Sequence, residues 1–442
     1  MARVINFFKV IRNNWKKSTF ALAGISYGVS YAVEAYNKEQ LMRKYCEDAV
    51  RYGNMPLPTK LRPRHVTVIL NPAANKRKAK DLLEKYCEPL LHLAGIAVTI
   101  IQTESEGQAR NLVEKLNTQT DGIVVAGGDG SLSDVVTGVM RRSNADIATV
   151  KKCPIGILPL GQTNNMANSL FYGYSDLPQI HAMAEATMAI VRNTTKLVDS
   201  MQIEPLEQDP DNFIKPVYAI GTVEWGAWRD AHAKSSKYWY WGSLRRYATY
   251  VLNGYKSSLS WDCSADLRYS DPCAGCSRCY QNPQIGNSSP NDRRWWHSFI
   301  PKRRNPTSAS EIDYSNVINE KCGELHEIPI VTTELEIITS NIEPLSSDSP
   351  PAIKVHLAPE KVSYLDFVKE GWRRADGSKT AIEQTIEAKD VEIRPREMDN
   401  KSDQAKMFSI DNEEFEVKPI RVKLLPKSVT MFCTQNVNSA IS

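Results

Sequence analysis

The chain has 442 residues, of which 42% are hydrophobic and 24% are charged. These values are typical of a folded globular protein, and the length suggests two or three domains. A formal net charge of +4 at pH 7 is too small to indicate a nucleic-acid partner, and none is expected. The nine cysteines are mostly scattered along the chain, so no general disulfide framework is evident.

The N-terminal segment, residues 1–60, differs in charge from the rest. Five basic residues and no acidic residue precede Glu34, a pattern that suits mitochondrial targeting or an anionic membrane surface. The uncharged run Phe20–Val33 is shorter than the ~20 residues that span a bilayer comfortably. It predicts a membrane-associating helix, and a cleaved presequence is the alternative.

From His65 the chain alternates β-rich runs with helical patterns. The predicted strands are His65–Leu70, Ala97–Gln102, Gly122–Ala126 and Ile155–Leu160. The predicted helices are Lys76–Leu93, Glu106–Leu116, Leu132–Arg142, Asn165–Phe171 and Gln179–Val191. This order predicts parallel βαβ units in an open sheet, with ligands at the carboxyl ends of the strands. We therefore predict an α/β nucleotide-binding domain over residues 61–195.

After Lys196 short β-like runs replace the alternation. They predict a second, mainly antiparallel β domain over residues 196–435, followed by a tail at residues 436–442. A polar segment rich in Pro, Ser and Asn interrupts this domain at residues 264–319. Its composition indicates a surface insert with little fixed structure.

A glycine-rich loop follows the third predicted strand. It reads Gly127-Gly128-Asp129-Gly130, and an amphipathic helix comes next. Glycine allows close backbone approach to phosphate, and the helix N-terminus favours anions. The carboxylate inside such a loop would hold Mg²⁺ or accept a proton from an attacking hydroxyl, which indicates a kinase. A plain strand–turn–helix corner is the alternative.

Two further motifs lie at neighbouring strand ends. Leu158–Asn165 contains Gly161 and Asn164, and it offers backbone amides to phosphate one βα unit after the glycine loop. Asn71 ends the first strand of the domain and can hydrogen-bond to nucleotide groups. Ser131 and Asp134 have the spacing of a capping box, which predicts the start of the third helix.

Other stretches accompany these loops in a consistent order. They are Val4–Lys17, Ile69–Ala74, Ser236–Tyr240, Ser409–Asp411 and Val422–Pro426. Together the motifs resemble the diacylglycerol kinase catalytic domain family, which includes bacterial diacylglycerol kinases, sphingosine kinases and ceramide kinase. Within that family the resemblance is closest to the mitochondrial acylglycerol kinases. It implies a two-domain lipid-kinase fold, with an open parallel-sheet domain and a mainly antiparallel β domain.

The resemblance also implies roles by position. Asp129 matches the residue that activates the lipid hydroxyl or organises Mg²⁺, with Gly127, Gly128, Gly130, Ser131, Gly161, Asn164 and Asn71 around the nucleotide. Asp230 matches the acidic residue that meets the polar head of the acceptor lipid. Asp411 and Glu413 match a C-terminal Asp-Gly-Glu motif at the nucleotide and metal, although Asn412 replaces its Gly. An exposed acidic hairpin is the alternative for this motif.

The expected activity is a Mg²⁺- and ATP-dependent lipid kinase. By resemblance it acts on monoacylglycerol and diacylglycerol and yields lysophosphatidate and phosphatidate. The same resemblance implies the mitochondrial inner membrane, facing the intermembrane space, with membrane lipids and the carrier import translocase as partners. A sphingoid-base or ceramide kinase, an NAD kinase and a kinase-independent membrane scaffold are the alternatives.

Two features lie outside the family pattern. Cys273, Cys276 and Cys279, with Cys263 nearby, offer four thiols for Zn²⁺, for disulfides in an oxidising compartment, or for no pairing. Aromatic and basic residues interleave at residues 293–304. That pattern indicates contact with an anionic lipid interface, and a solvated loop is the alternative.

Overall fold

The computed structural model describes most of the chain. The described residues are 13–56, 62–105, 107–116, 120–143, 146–171, 179–207, 214–256, 263–279, 316–346, 349–396 and 407–434. The basic residues 1–12 and the aromatic run at 293–304 lie outside these ranges. The chain forms two compact units, the first comprising Met1–Val198 with Ser428–Ser442 and the second Asp199–Lys427.

The first unit alternates strands and helices. Its strands are β1 (His65–Leu70), β2 (Ala97–Gln102), β3 (Gly122–Gly127) and β4 (Ile155–Pro159). Its helices are α1 (Trp15–Gly53), α2 (Ala74–Arg77), α3 (Ala79–Leu82), α4 (Glu88–Leu93), α5 (Gln108–Glu114), α6 (Asp129–Arg142), α7 (Ile147–Val150), α8 (Asn165–Leu170) and α9 (Gln179–Arg192). A π-helical turn, Leu83–Cys87, joins α3 to α4.

The strands of the first unit form a parallel sheet in the order β2-β1-β3-β4. Every residue of β3 and β4 is buried, as expected when helices cover both faces of a parallel sheet. The predicted α/β fold class is confirmed here. The carboxyl ends of β1, β3 and β4 meet at one edge, where the three predicted loops begin.

One predicted helix, Lys76–Leu93, is wrong as a continuous element. Asn75, Lys76 and Arg77 have positive φ angles of 50°, 57° and 67°. Left-handed residues cannot propagate a right-handed helix, so regular helix resumes only at Ala79. The left-handed turn directly follows the loop that Asn71 opens.

Helix α1 covers the predicted membrane-associating segment. Its carboxyl-terminal part packs into the unit, where the Tyr45 hydroxyl donates to Glu185 at 2.5 Å. Its earlier residues face outward, and Phe20 and Tyr27 are 84% and 76% exposed. Among the described residues, none of the helices combines the length and apolar character that a membrane span requires.

The second unit is mainly β. Its strands are β5 (Thr195–Pro205, which begins in the first unit), β6 (Val217–Ala219), β7 (Thr222–Gly226), β8 (Cys263–Ser270), β9 (Leu325–Thr332), β10 (Glu334–Ile338), β11 (Ile353–Leu357), β12 (Gln384–Ala388), β13 (Asp390–Pro395), β14 (Met407–Ile410), β15 (Glu413–Glu416) and β16 (Ile420–Phe432, which ends in the first unit). Its helices are α10 (Ala227–Ala233), a 3₁₀ segment (Lys234–Leu244), α11 (Arg245–Lys256) and α12 (Tyr364–Ala375).

Antiparallel pairing dominates this unit, as predicted. Six strands form a sheet in the order β12-β11-β10-β7-β14-β15, and β8 pairs with both β9 and β13. Apolar side chains of both groups share one core that includes Trp225, Leu335 and Phe408. Strand β8 takes up the first residues of the predicted insert, 264–319, because alternate residues of β8 are buried. Residues 280–315 of that insert lie outside the described ranges.

Candidate functional site

The glycine loop of the first unit turns directly into a helix. Gly128 is the N-cap of α6, and Asp129 and Gly130 are its first two residues. Asp129 is only 5% exposed. Its carboxylate accepts hydrogen bonds from the backbone N–H groups of Asn165 at 2.9 Å and Met166 at 3.1 Å. The aspartate therefore caps the neighbouring helix α8, a contact that the sequence did not predict.

The second loop interlocks with the glycine loop. Gly161 N–H donates to the Gly127 carbonyl at 3.0 Å, and Asp129 N–H donates to the Thr163 carbonyl at 3.2 Å. A Cβ on Gly161 would lie 2.4 Å from Gly128 Cα, so neither loop has room for a side chain at this crossing. The fold thus requires glycine at both positions.

Asn71 joins the first strand end to the same loops. Its side-chain N–H donates to Ser131 Oγ at 3.0 Å, and its Oδ1 accepts the Ala73 N–H at 3.1 Å. The predicted capping box of Ser131 and Asp134 is wrong, because α6 begins two residues earlier than Ser131 and has no side-chain cap. Asp134 instead pairs with Arg110 at 2.6 Å.

Asn164 stabilises the turn of the second loop. It precedes α8, its Oδ1 accepts the Gly161 N–H at 3.2 Å, and its Nδ2 donates to the Gly161 carbonyl at 3.1 Å. The structure therefore brings together every predicted nucleotide-site residue of the first unit. The set comprises Asn71, Gly127, Gly128, Asp129, Gly130, Ser131, Gly161 and Asn164.

The electrostatics of this set favour an anion beside a carboxylate. The first turn of α6, a helix of 14 residues, directs N–H groups and positive dipole toward the loop. Burial raises the pKa of Asp129, and the hydrogen bonds from Asn165 and Met166 oppose that rise. The pair of loops thus combines a helix N-terminus, which can donate N–H groups to an anion, with a buried carboxylate.

Asp411 occupies a tight hairpin turn in the second unit. Asp411 and Asn412 have φ angles of 45° and 68° and join β14 to β15, the geometry of a type I′ turn. Asp411 is 6% exposed. Its carboxylate accepts N–H bonds from Ile220, Gly221 and Thr222 at 2.8–2.9 Å. Asn412 thus replaces the family's Gly without losing the turn, since Asn tolerates this region.

Arg229 links the predicted acceptor residue to this hairpin. Its guanidinium donates to Asp230 Oδ1 at 2.8 Å and to Glu414 Oε1 at 2.7 Å. Glu413, next to Glu414, is half-buried and pairs with Ile410 across the hairpin. Burial raises the pKa of Asp230, and Arg229 opposes that rise. Asp230, Glu413 and Asp411 thus belong to one region of the second unit.

A buried charge network continues from Arg229. Its backbone N–H donates to Glu334, which also pairs with Arg374. On the same strand Glu336 pairs with Lys379. Burial raises the pKa of Glu336 to about 7, helped by nearby carboxylates and opposed by Lys379.

Sequence reasoning missed this network. Its members come from α10, β10, α12 and the turn after α12, which the chain order does not bring together. The available signal was Glu334-Leu335-Glu336-Ile337, where acidic residues alternate with apolar residues in a short β-like run. The structure buries every residue of the strand that contains this run.

Comparison with known proteins agrees with both units. The chain matches the diacylglycerol kinase catalytic domain family over residues 65–203 and the acylglycerol kinase C-terminal family over residues 220–442. A solved diacylglycerol kinase from Bacillus anthracis str. Sterne shares the fold with a TM-score of 0.50 at 14% identity, over 86% of this chain and all of that one. These matches and the kinase-like loops define a lipid kinase that uses ATP as co-substrate.

Similarity to curated proteins is more specific. The mitochondrial acylglycerol kinase of Homo sapiens is 35% identical over 97% of this chain and 96% of its own length. The mitochondrial acylglycerol kinase of Xenopus laevis is 33% identical over 98% of this chain and 96% of its own length. Sphingosine kinase 1 of Arabidopsis thaliana is 31% identical over 42% of this chain and 36% of its own length. The chain belongs to the acylglycerol kinase family, as its sequence motifs predicted.

Proposed function

We propose that this lipid kinase transfers the ATP γ-phosphate to the free hydroxyl of monoacylglycerol and diacylglycerol, giving lysophosphatidate and phosphatidate. The observation that carries the proposal is the interlocking of the Gly127–Gly130 and Gly161–Asn164 loops around the buried Asp129 carboxylate. The glycines and Ser131 supply donors to the phosphates, and Asn71 fixes the loop beside them. Relatives named acylglycerol kinase support the choice of acceptor.

Mg²⁺ fits Asp129 by donor chemistry. Each of its oxygens accepts one N–H bond, and an ionised carboxylate has about four acceptor positions, so capacity remains for a cation or for the hydroxyl proton. When bound, Mg²⁺ would neutralise charge on the phosphates. The Asp411 carboxylate accepts three N–H bonds, so it has less remaining capacity for a cation than Asp129 has. We therefore assign Asp411 chiefly the role of positioning its hairpin, and binding of Mg²⁺ as a secondary role.

The acceptor head group is assigned to the second unit. Asp230 retains 23% side-chain exposure while Arg229 orients it, so its carboxylate can accept a hydrogen bond from a lipid hydroxyl. Glu413 and Glu414 lie beside this pair on β15. The glycerol head group offers hydroxyl donors. Such a neutral donor suits an acidic surface better than a negatively charged head group would.

The proposed location is the mitochondrial inner membrane, on the intermembrane-space side. The exposed apolar residues of α1 and the basic residues before it support contact with an anionic lipid surface. The same exposed helix favours one second function, a scaffold role in the inner-membrane carrier import translocase. That role would not require phosphoryl transfer.

A lipid-acceptor panel tests the proposal. The full chain receives radiolabelled ATP with monoacylglycerol, diacylglycerol, sphingosine or ceramide in mixed micelles, with Mg²⁺ or with EDTA. We expect label in lysophosphatidate and phosphatidate, and its loss in EDTA. Label confined to sphingosine or ceramide would contradict the acceptor assignment. Carrier import measured in cells that express an inactive variant separates the scaffold role from catalysis.

A further inference from the structure

Four cysteines converge beside the β8–β9 pair of the second unit. They are Cys273, Cys276, Cys279 and Cys322, and their four Sγ atoms all lie within 4.8 Å of one another. The Cys276–Cys279 sulfur distance is 3.6 Å, and the Cys273–Cys279 distance is 3.8 Å. Two separate stretches of chain supply these thiols, one after β8 and one before β9.

The spacing of the sulfurs matches a mononuclear tetrahedral site. A Zn–S bond of about 2.3 Å in a regular tetrahedron separates neighbouring sulfurs by about 3.8 Å. A disulfide would instead bring one pair to about 2.0 Å and leave no reason for the other two sulfurs to converge on it. We propose that Cys273, Cys276, Cys279 and Cys322, none of which is assigned to the kinase site, bind one structural Zn²⁺ ion.

Backbone and side-chain groups support the four ligands. Asn319 Nδ2 donates to Cys273 Sγ at 3.3 Å, and Cys322 N–H donates to the Asn319 carbonyl at 3.2 Å. Ser277 N–H donates to the Val317 carbonyl at 2.8 Å, which ties the two stretches together. Such contacts orient metal ligands and spread the charge of thiolates.

Cys263 is excluded from this site. It lies within β8, is 4% exposed, and its sulfur lies 3.7 Å from the Trp225 carbonyl and 3.9 Å from the Thr333 carbonyl. Sequence spacing placed Cys263 among the four candidate thiols, whereas the fold supplies Cys322. Cys263 therefore provides a matched control within the same unit.

The ion would close the chain around residues 280–315. Ser270 at the end of β8 pairs with Leu325 at the start of β9, and the four ligands lie just beyond this pair. Binding there fixes both ends of the intervening segment to the sheet. The free energy of metal binding would provide this constraint, since metal binding and folding are coupled.

Metal analysis of the full chain tests the proposal. The untagged protein is purified without chelators, and its metals are quantified by inductively coupled plasma mass spectrometry. We expect about one Zn²⁺ per chain, with four sulfur neighbours at about 2.3 Å by X-ray absorption. The double variant Cys276→Ser with Cys322→Ser is expected to have a zinc content per chain at least about tenfold lower. The Cys263→Ala variant is expected to retain the wild-type zinc content.

The wild-type measurements decide the matter even if the double variant fails to fold. Zinc-free protein whose nine cysteines all react with an alkylating reagent after denaturation would overturn the proposal. So would a mass shift that shows disulfides among the four ligand cysteines. Retention of zinc by the double variant, or its loss in Cys263→Ala, would contradict the ligand assignment.

Discussion

At the scale of single residues, Asp129 has a structural role that its hydrogen bonds show and a catalytic role that we propose. Its position in the glycine loop indicates chemistry, and its hydrogen bonds to Asn165 and Met166 hold the second loop in place. Asp129→Asn removes the charge and turns an amide donor toward one of these N–H groups. We expect kinase activity to fall at least about 100-fold, with a loss of stability of about 1–2 kcal/mol. Initial rates and thermal unfolding measure the two effects.

Asp146 provides the control for helix capping alone. Its Oδ1 accepts the Ala148 N–H at 3.2 Å and caps α7, away from the glycine loop. Asp146→Asn is expected to lower the melting temperature slightly and to leave the rate unchanged. Equal loss of activity in both variants would mean that Asp129 acts only through stability.

Glu336 predicts a pH dependence of stability. Its folded pKa of about 7 lies above the ordinary 4.5, so the folded state favours the protonated carboxyl. The stabilisation that this protonation gives is complete below pH 4.5 and is lost as the pH rises through 7. Glu336→Gln mimics the protonated form at every pH. The variant should therefore gain stability relative to wild type from pH 4.5 to 8, on the order of 2 kcal/mol.

Chemical denaturation at several pH values measures this difference. The exposed Glu387 on β12 supplies the control, since Glu387→Gln changes the same side chain at the surface. A difference between Glu336→Gln and wild type that stays constant across the pH range would contradict the prediction.

At the scale of elements, the crossing of the two loops is the feature that glycine makes possible. Gly161→Ala would place a Cβ 2.4 Å from Gly128 Cα and 2.7 Å from its nitrogen, and backbone at this distance cannot rotate away. The loops must separate. We expect the KM for ATP to rise at least about tenfold, equivalent to about 1.4 kcal/mol, with a lower melting temperature.

The control is a glycine with open space. A Cβ on Gly24 in α1 meets nothing within 4 Å, and alanine favours helix, so Gly24→Ala should leave KM unchanged. An unchanged KM for ATP in Gly161→Ala would show that the crossing does not shape the nucleotide site.

The elements also show how far the sequence predicts this fold. Strands β1 and β2 match their predicted bounds because each is a short apolar run next to turn residues. The pairing of Arg229 with Glu414 and the inclusion of Cys322 in the thiol cluster depend on contacts between distant parts of the chain. Local propensity contains no information on such contacts. Sequence spacing therefore favoured Cys263 as the fourth thiol, because it is nearer than Cys322 to the other three cysteines in the chain.

At the scale of the whole molecule, the chain returns to its first unit at the end. Met431 of β16 pairs in parallel with Ile155 of β4, and Cys433 exchanges hydrogen bonds with Thr194. The predicted domain boundary at residue 195 assigned this strand to the second domain, because sequence order alone gives no sign of the return. The nucleotide unit is therefore completed by residues 428–434, far from its loops in sequence.

A substitution at Phe432 tests whether the first unit depends on this final strand. Its ring is fully buried and would lie 3.2 Å from a Cβ added at Gly122 or Gly156, so it fills the space that these glycines leave on β3 and β4. Phe432→Ala should destabilise the first unit by about 3–5 kcal/mol and weaken ATP binding as that unit unfolds. The matched change Phe20→Ala removes a ring that is 84% exposed and should alter stability by less than about 0.5 kcal/mol. Denaturant unfolding followed by ATP-binding titration compares the two, and equal stability of both variants would show that the final strand is dispensable to the nucleotide unit.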